Sequence, residues 1–152
     1  MQRVKIKPIE ILMADDDVDD QLLTQKALKK SRLLNNMHFV NNGEELMNYL
    51  LHRDKFADKE RHPSPDLILL DLNMPRLDGR EALKLIKDDP HLRRIPVIIL
   101  TTSRAEKEII ASYDLGANSF ITKPVDFSEF LDAMRVFSEY WVSIVRLPTY
   151  QS

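Results

Sequence analysis

The stretch from Asp66 to Gly79, D-L-I-L-L-D-L-N-M-P-R-L-D-G, constrains this chain more than any other. Leu67 to Leu70 are four consecutive branched apolar residues, with Pro65 before them and Asn73-Met74-Pro75 after. A run that short, closed by breakers at both ends, predicts a central parallel strand buried on both faces. Pro75, Asp78 and Gly79 are turn formers, so the strand stops there and a loop begins. Asp71 stands at that junction. A carboxylate there is either a cap for the turn or a working group at the carboxyl edge of a sheet, where open α/β folds place their ligands.

The remaining chain alternates. Ile9 to Ala14 predicts a first strand that runs into Asp15, Asp16 and Asp17. Val18 to Ser31 has helical spacing, with Val18, Leu22, Ala27 and Leu28 as its apolar positions, Lys26, Lys29 and Lys30 outward and Asp17 as N-cap. Met37 to Val40 predicts a second strand. Asn42 and Glu45 open a helix whose apolar face is Leu46, Met47, Leu50 and Leu51. His52 to Pro65 is mixed in charge and ends in prolines, which predicts a solvated surface loop. After the central strand come a helix from Arg80 to about Lys87 and a strand from Pro96 to Thr101. A helix opened by Ser103-Arg104-Ala105-Glu106 and closed by Gly116 follows, then a strand from Ser119 to Thr122. A last helix starts at Asp126 and runs to about Arg146.

Strand and helix repeated five times predict an α/β domain with a doubly wound parallel sheet. The flavodoxin-like order 2-1-3-4-5 makes strands one and three neighbours, although periodicity alone does not establish that order. Composition excludes several alternatives. A chain of 152 residues, 43% hydrophobic and 30% charged, suits a single globular domain. A net charge of −2 without a long basic run exerts no general pull on nucleic acid. The absence of cysteine rules out thiol catalysis and zinc-thiolate sites and accords with the cytoplasm. The basic N-terminus has no apolar segment behind it, so no signal peptide is expected. The apolar runs are of strand length, and no membrane span is expected.

In a parallel sheet every strand ends at the same edge. That edge would collect Asp15, Asp16, Asp17, Asp71, Thr101, Thr102 and Lys123. Converging carboxylates raise one another's pKa or recruit a cation, and hard oxygen ligands beside a lysine point to Mg2+. A carboxylate, a metal, an ammonium and a hydroxyl together suit phosphoryl transfer to the carboxylate. Each piece also has a plain reading. The three aspartates could cap a helix, the threonines could be ordinary strand residues, and Lys123-Pro124 could be a surface turn. The joint arrangement, each piece at the end of its own strand, argues against the plain set. No histidine pair has metal-ligand spacing, and there is no Gly-rich phosphate loop.

From Ile9 to about Val136 the chain resembles a CheY-like response-regulator receiver domain of two-component signalling. The motifs are A-D-D-D, L-L-D-L-N-M-P-R-L-D-G, I-P-V-I-I-L-T-T and G-A-N-S-F-I-T-K-P. The resemblance implies Asp71 as phospho-acceptor and Asp15 and Asp16 as the acidic pair. Asp16 and Asp71 would bind Mg2+ directly and Asn73 through its backbone carbonyl, with Asp15 supporting them without touching the ion. It implies Thr101 as switch hydroxyl, Lys123 as the cation that meets the phosphoryl group, and Phe120 as the rotating aromatic. Thr102 departs from the small residue common after the switch threonine, and Asp17 adds an acid that the motif does not require.

A closer resemblance is to the single-domain regulators that pair with cyanobacterial and bacterial phytochromes. It rests on the loop before the third strand, on D-G-R-E-A-L-K-L-I-K-D-D-P-H-L-R-R-I-P-V-I-I-L-T-T-S and on the ending Y-W-V-S-I-V-R-L-P. It implies a single receiver spanning 1–152, with a core of about 9–136 and a C-terminal extension at 137–152. It also implies a sensor histidine kinase of the bacteriophytochrome kind as donor and a downstream protein as target. No enzyme turning over a substrate and no direct nucleic-acid contact are expected. Tyr140, Trp141, Ile144, Val145 and Leu147 overhang the receiver core and predict a homodimer interface. Two other functional classes remain at this level: a docking module independent of phosphorylation, and an aspartate-nucleophile phosphatase. The first should have lost an acidic or lysine residue of the motif. The second should show D-x-D-x-[TV], which Asp15 to Asp19 does not match.

Overall fold

The computed structural model describes residues 8–31, 34–74, 76–101, 119–123, 128–130 and 132–135. Five strands form one sheet: β1 (Ile9–Ala14), β2 (Asn35–Val40), β3 (Leu67–Asp71), β4 (Val97–Thr101) and β5 (Ser119–Thr122). Their order is β2-β1-β3-β4-β5 and every pairing is parallel. This is the flavodoxin-like order. The all-apolar strands β3 and β4 are buried throughout, as strands covered on both faces must be.

Three helices connect the first four strands: α1 (Val18–Ser31), α2 (Gly43–Leu50) and α3 (Gly79–Asp88). Alternation along the strands sends side chains to opposite faces and produces two cores. Leu12, Ala14, Ile68, Leu70, Val97 and Ile99 pack with Leu46, Tyr49, Leu83 and Ile86 of α2 and α3. Ile11, Met13, Leu67, Leu69, Ile98 and Leu100 pack with Ala27 and Leu28 of α1 and with Phe130, Ala133 and Met134. Those last three lie in a helical segment, 128–130 and 132–135, that covers the sheet from the same side as α1.

Local chemistry sets the helix ends. Asn42 Oδ1 accepts the Glu45 N–H at 2.8 Å, and Glu45 Oε1 accepts the Asn41 N–H at 2.8 Å, a capping box shifted by one residue. Asp78 Oδ1 accepts the Glu81 N–H at 3.0 Å and starts α3. Asp17 Oδ1 accepts the Asp19 N–H at 2.8 Å, the expected N-cap of α1.

Three expectations need correction. The apolar positions expected for α1 do not share an inward face: Val18 is 64% exposed and Leu22 50%. The inward face is Asp20, Thr24, Ala27 and Leu28, and Asp20 is there because the half-buried Lys123 holds its carboxylate. Strand β2 begins two residues early, at Asn35, because the β1 ladder continues through Glu10 and Asn36 and overrides weak strand propensity. The loop after α2 is not merely solvated. It makes a short 3-10 turn at Asp54–Phe56, buries Phe56 and packs a tilted Phe56 ring and an edge-on His62 ring against Tyr49, whose hydroxyl donates to the Pro63 carbonyl at 3.0 Å. The expected helix at Ser103–Gly116, Thr102 and the end of the last helix lie outside the described residues, as do Tyr140, Trp141, Ile144, Val145 and Leu147.

Candidate functional site

The β1–β3 register pairs Ile11 with Leu67 and Met13 with Leu69. One further alternate step brings Asp15 beside Asp71 on the α1 side of the sheet. Both are buried. A turn holds one oxygen of each: Asp71 Oδ1 accepts the Asn73 N–H at 3.1 Å, and Asp15 Oδ1 accepts the Asp17 N–H at 2.9 Å. The other oxygens face Lys123, whose Nζ lies 3.0 Å from Asp71 Oδ2 and 3.0 Å from Asp15 Oδ2. Lys123 is delivered by β5. Its N–H donates to the Thr101 carbonyl at 2.8 Å, one step beyond the Thr101–Thr122 pair. Glu129 Oε1, on the last helical segment, accepts the Thr122 N–H at 2.9 Å and steadies that strand end.

The sequence reading missed Asp20. Its Oδ2 is 2.7 Å from Lys123 Nζ, the shortest of the three contacts. An acid in the first turn of a helix reads locally as a partner for the helix dipole. The available signal was its phase: Asp20 leads Thr24, Ala27 and Leu28 on the inward face.

Burial, with the charge of Asp71 adding to it, pushes Asp15 up to about 7 despite the Asp17 N–H and Lys123. For Lys123, burial works against the charge. The Asp20, Asp15 and Asp71 carboxylates together outweigh it and hold the ammonium above the usual lysine range.

Carboxylate oxygens of Asp15, Asp16 and Asp71 lie within 4.8 Å of one another, with Asp16 exposed and the other two buried. Such a donor set, all hard oxygen with one exposed member, fits a divalent metal. Thr101 is buried at the end of β4 and follows Ile99 in the strand alternation. Phe120 pairs with Ile99 and packs half-buried on the α3 side of the sheet. Asn73 is exposed in the turn after Asp71. No helix among the described residues is long and apolar enough to cross a membrane.

Comparison with known proteins agrees with this geometry. Residues 11–135 match the response regulator receiver domain family. Response regulator Rcp1 of Synechocystis sp. is 38% identical over 141 residues, 93% of this chain and 94% of that protein. Its Mn(2+)-bound structure superposes with a TM-score of 0.72 over 91% of this chain and 97% of that one, at 38% identity. The bacteriophytochrome response regulator RtBRR gives 0.79 at 37% identity, covering 85% and 77%. The phosphorylated cyanobacterial phytochrome response regulator RcpA gives 0.73 at 41%, covering 90% and 96%. A receiver-domain match over most of the chain, on a 2-1-3-4-5 sheet with buried acids at its carboxyl edge, has one consequence: this chain belongs to the response regulator receiver domain family, close to the phytochrome response regulators.

Proposed function

We propose that this receiver accepts a phosphoryl group on Asp71 from the phosphohistidine of a sensor histidine kinase, and that the kinase is of the phytochrome kind. The observation that carries the reading is the buried Asp71 carboxylate, which shares the Lys123 ammonium with Asp15 and forms with Asp15 and Asp16 a cluster of three carboxylates. An Asp71 oxygen forms the new O–P bond as the P–N bond of the donor breaks, the electron pair staying on the imidazole nitrogen. Mg2+ is the cation we assign: Asp16, Asp71 and the Asn73 carbonyl would hold it, and Asp15 would support them. When bound it supplies positive charge against the phosphoryl oxygens. Lys123 supplies the second positive charge from the protein itself, and Thr101 a hydroxyl for the phosphoryl group.

Output then follows from population shift. New contacts of the phosphoryl oxygens with Thr101 and Lys123 favour one of two conformers, with Phe120 as the aromatic that changes place. The partner is a downstream protein, not nucleic acid, and the extension at 137–152 is assigned to homodimerisation.

The test is phosphorylation by acetyl phosphate with Mg2+, followed by mass spectrometry. The label should fall on Asp71 and vanish in Asp71→Asn. Label on Asp15 or Asp16, or retained in Asp71→Asn, overturns the assignment. Phosphotransfer profiling against the histidine kinases of the source organism identifies the donor, and exclusive transfer from a kinase without a photoreceptor overturns the phytochrome pairing.

A further inference from the structure

Lys123 has three N–H donors and three carboxylate partners, and the nearest partner is not on the sheet. Asp20 lies in the first turn of α1, is 8% exposed, and takes the ammonium at 2.7 Å against 3.0 Å for Asp15 and Asp71. Asp20 does not belong to the cluster of Asp15, Asp16 and Asp71, the carboxylates placed to hold a cation. Its placement is built: the Asp20 carbonyl accepts the Thr24 hydroxyl at 2.9 Å, and Thr24 is itself buried one turn on. A buried carboxylate on the inward face of a helix is costly unless paired, so its contact with Lys123 is what retains it there.

We propose that Asp20 is a positioning residue for Lys123: an anchor on α1 that holds the ammonium at the acceptor site while drawing it off Asp71. The proposal rests on Asp71 being the acceptor. An ammonium shared by Asp15 and Asp71 alone would sit closer to the Asp71 carboxylate and quench its nucleophilicity before attack. With Asp20 taking one N–H, the charge stays within reach of the incoming phosphoryl group and the acceptor stays reactive. The anchor also couples α1 to the end of β5, because the same ammonium touches both.

The experiment compares Asp20→Asn, Asp20→Glu and Asp19→Asn with the wild type. The readouts are the rate constant of acetyl phosphate labelling at saturating Mg2+ and the 15N–1H signal of the Lys123 ammonium in the unphosphorylated protein. Asp19→Asn removes a neighbouring, exposed first-turn charge of α1 without touching Lys123. Asp20→Asn should lower the rate constant about tenfold, below the ~100-fold that a 1 Å misplacement of a reacting group can cost, and should shift the Lys123 signal. Asp20→Glu keeps the charge and moves the carboxylate by one methylene, so it should lower the rate as well. Asp19→Asn should stay within about twofold of wild type.

Wild-type rates and an unmoved Lys123 signal in both Asp20 variants overturn the proposal. A rate lost in Asp20→Asn but fully kept in Asp20→Glu reduces Asp20 to a general charge and overturns positioning. Absence of any labelling of wild-type Asp71 would sink the acceptor assignment, whereas the Lys123 signal would still report whether Asp20 holds the ammonium.

Discussion

A β-carbon on Gly79 would press on the carbonyl oxygen of Asp71 and lie 2.5 Å from the Leu72 Cα. The loop after β3 therefore closes back onto its own strand end, where the Gly79 N–H donates to the Leu72 carbonyl at 3.1 Å. Glycine is required at the start of α3 by close approach of backbone to backbone. Gly43 meets the same demand against Leu77 at the start of α2, with the Leu77 Cβ 2.8 Å from where its own would stand.

Gly79→Ala should accordingly cost about 1–3 kcal/mol, the range for forcing a methyl into a filled space. Urea unfolding measures it. Because the displacement falls on the Asp71 backbone, acetyl phosphate labelling should slow as well. An unchanged midpoint would show that the loop yields freely.

The metal assignment predicts stabilisation by mass action. With an affinity of order 1 mM, ~10 mM Mg2+ should stabilise the fold by roughly 1.4 kcal/mol. Asp16→Asn should remove most of that gain, since Asp16 is the exposed member of the acidic cluster. Equal stabilisation of wild type and variant in a thermal-shift titration would move the ligand elsewhere.

The pH dependence has a definite sign. Burial and the charge of Asp71 hold Asp15 up to about 7, from an ordinary value of 3.8. A raised carboxyl contributes stability below its unfolded pKa and loses it as pH rises through the folded one. Without divalent cation, wild type should therefore lose stability between about pH 4 and about pH 7 relative to Asp15→Asn. Cation binding should oppose that loss, because a proton on Asp15 competes with it. The Mg2+ gain should be larger at about pH 8 than at about pH 6. A gain independent of pH, measured by urea unfolding with and without Mg2+, would exclude Asp15 from the cation site.

The loop after α2 should matter for stability and not for chemistry. Phe56 is buried with its ring 5.3 Å from Tyr49 and 5.2 Å from His62. Phe56→Ala should cost about 3 kcal/mol or more, typical of an emptied aromatic site, with labelling of Asp71 retained at permissive temperature. A cost under about 1 kcal/mol would return the loop to the solvated excursion that its composition suggests.

For the C-terminal extension, sedimentation over a hundredfold concentration range should find wild type dimeric. A chain ending at Glu139 should be monomeric yet still phosphorylated on Asp71, with Trp141→Ala shifted toward monomer. A monomeric wild type, phosphorylated or not, removes the dimer proposal.

Strand positions, breakers and caps were legible in the sequence because each depends on neighbouring residues. Leu67 to Leu70 between prolines can hardly be other than a buried strand. Asn42 with Glu45, and Asp78 before Gly79, carry their hydrogen bonds within one turn. Asp15, Asp71, Thr101 and Lys123 were legible as strand-end residues, since a parallel sheet brings strand ends to one edge. Phe56 was not. One aromatic among charges has no periodicity, and its burial depends on Tyr49, whose own ring faces inward only once β2 and α2 have packed.

By itself, then, the sequence determined the alternation of elements, the edge to which the chemistry is confined and the residue types available there. Tertiary structure alone decided the strand order that sets Asp15 beside Asp71, the face that α1 turns inward, and the three-carboxylate hold on Lys123. The physical reason is range. Propensity, turn chemistry and capping act over a few residues, whereas the charge pairing that draws Asp20 inward joins the first helix to the last strand. No window of local sequence contains both ends of that contact.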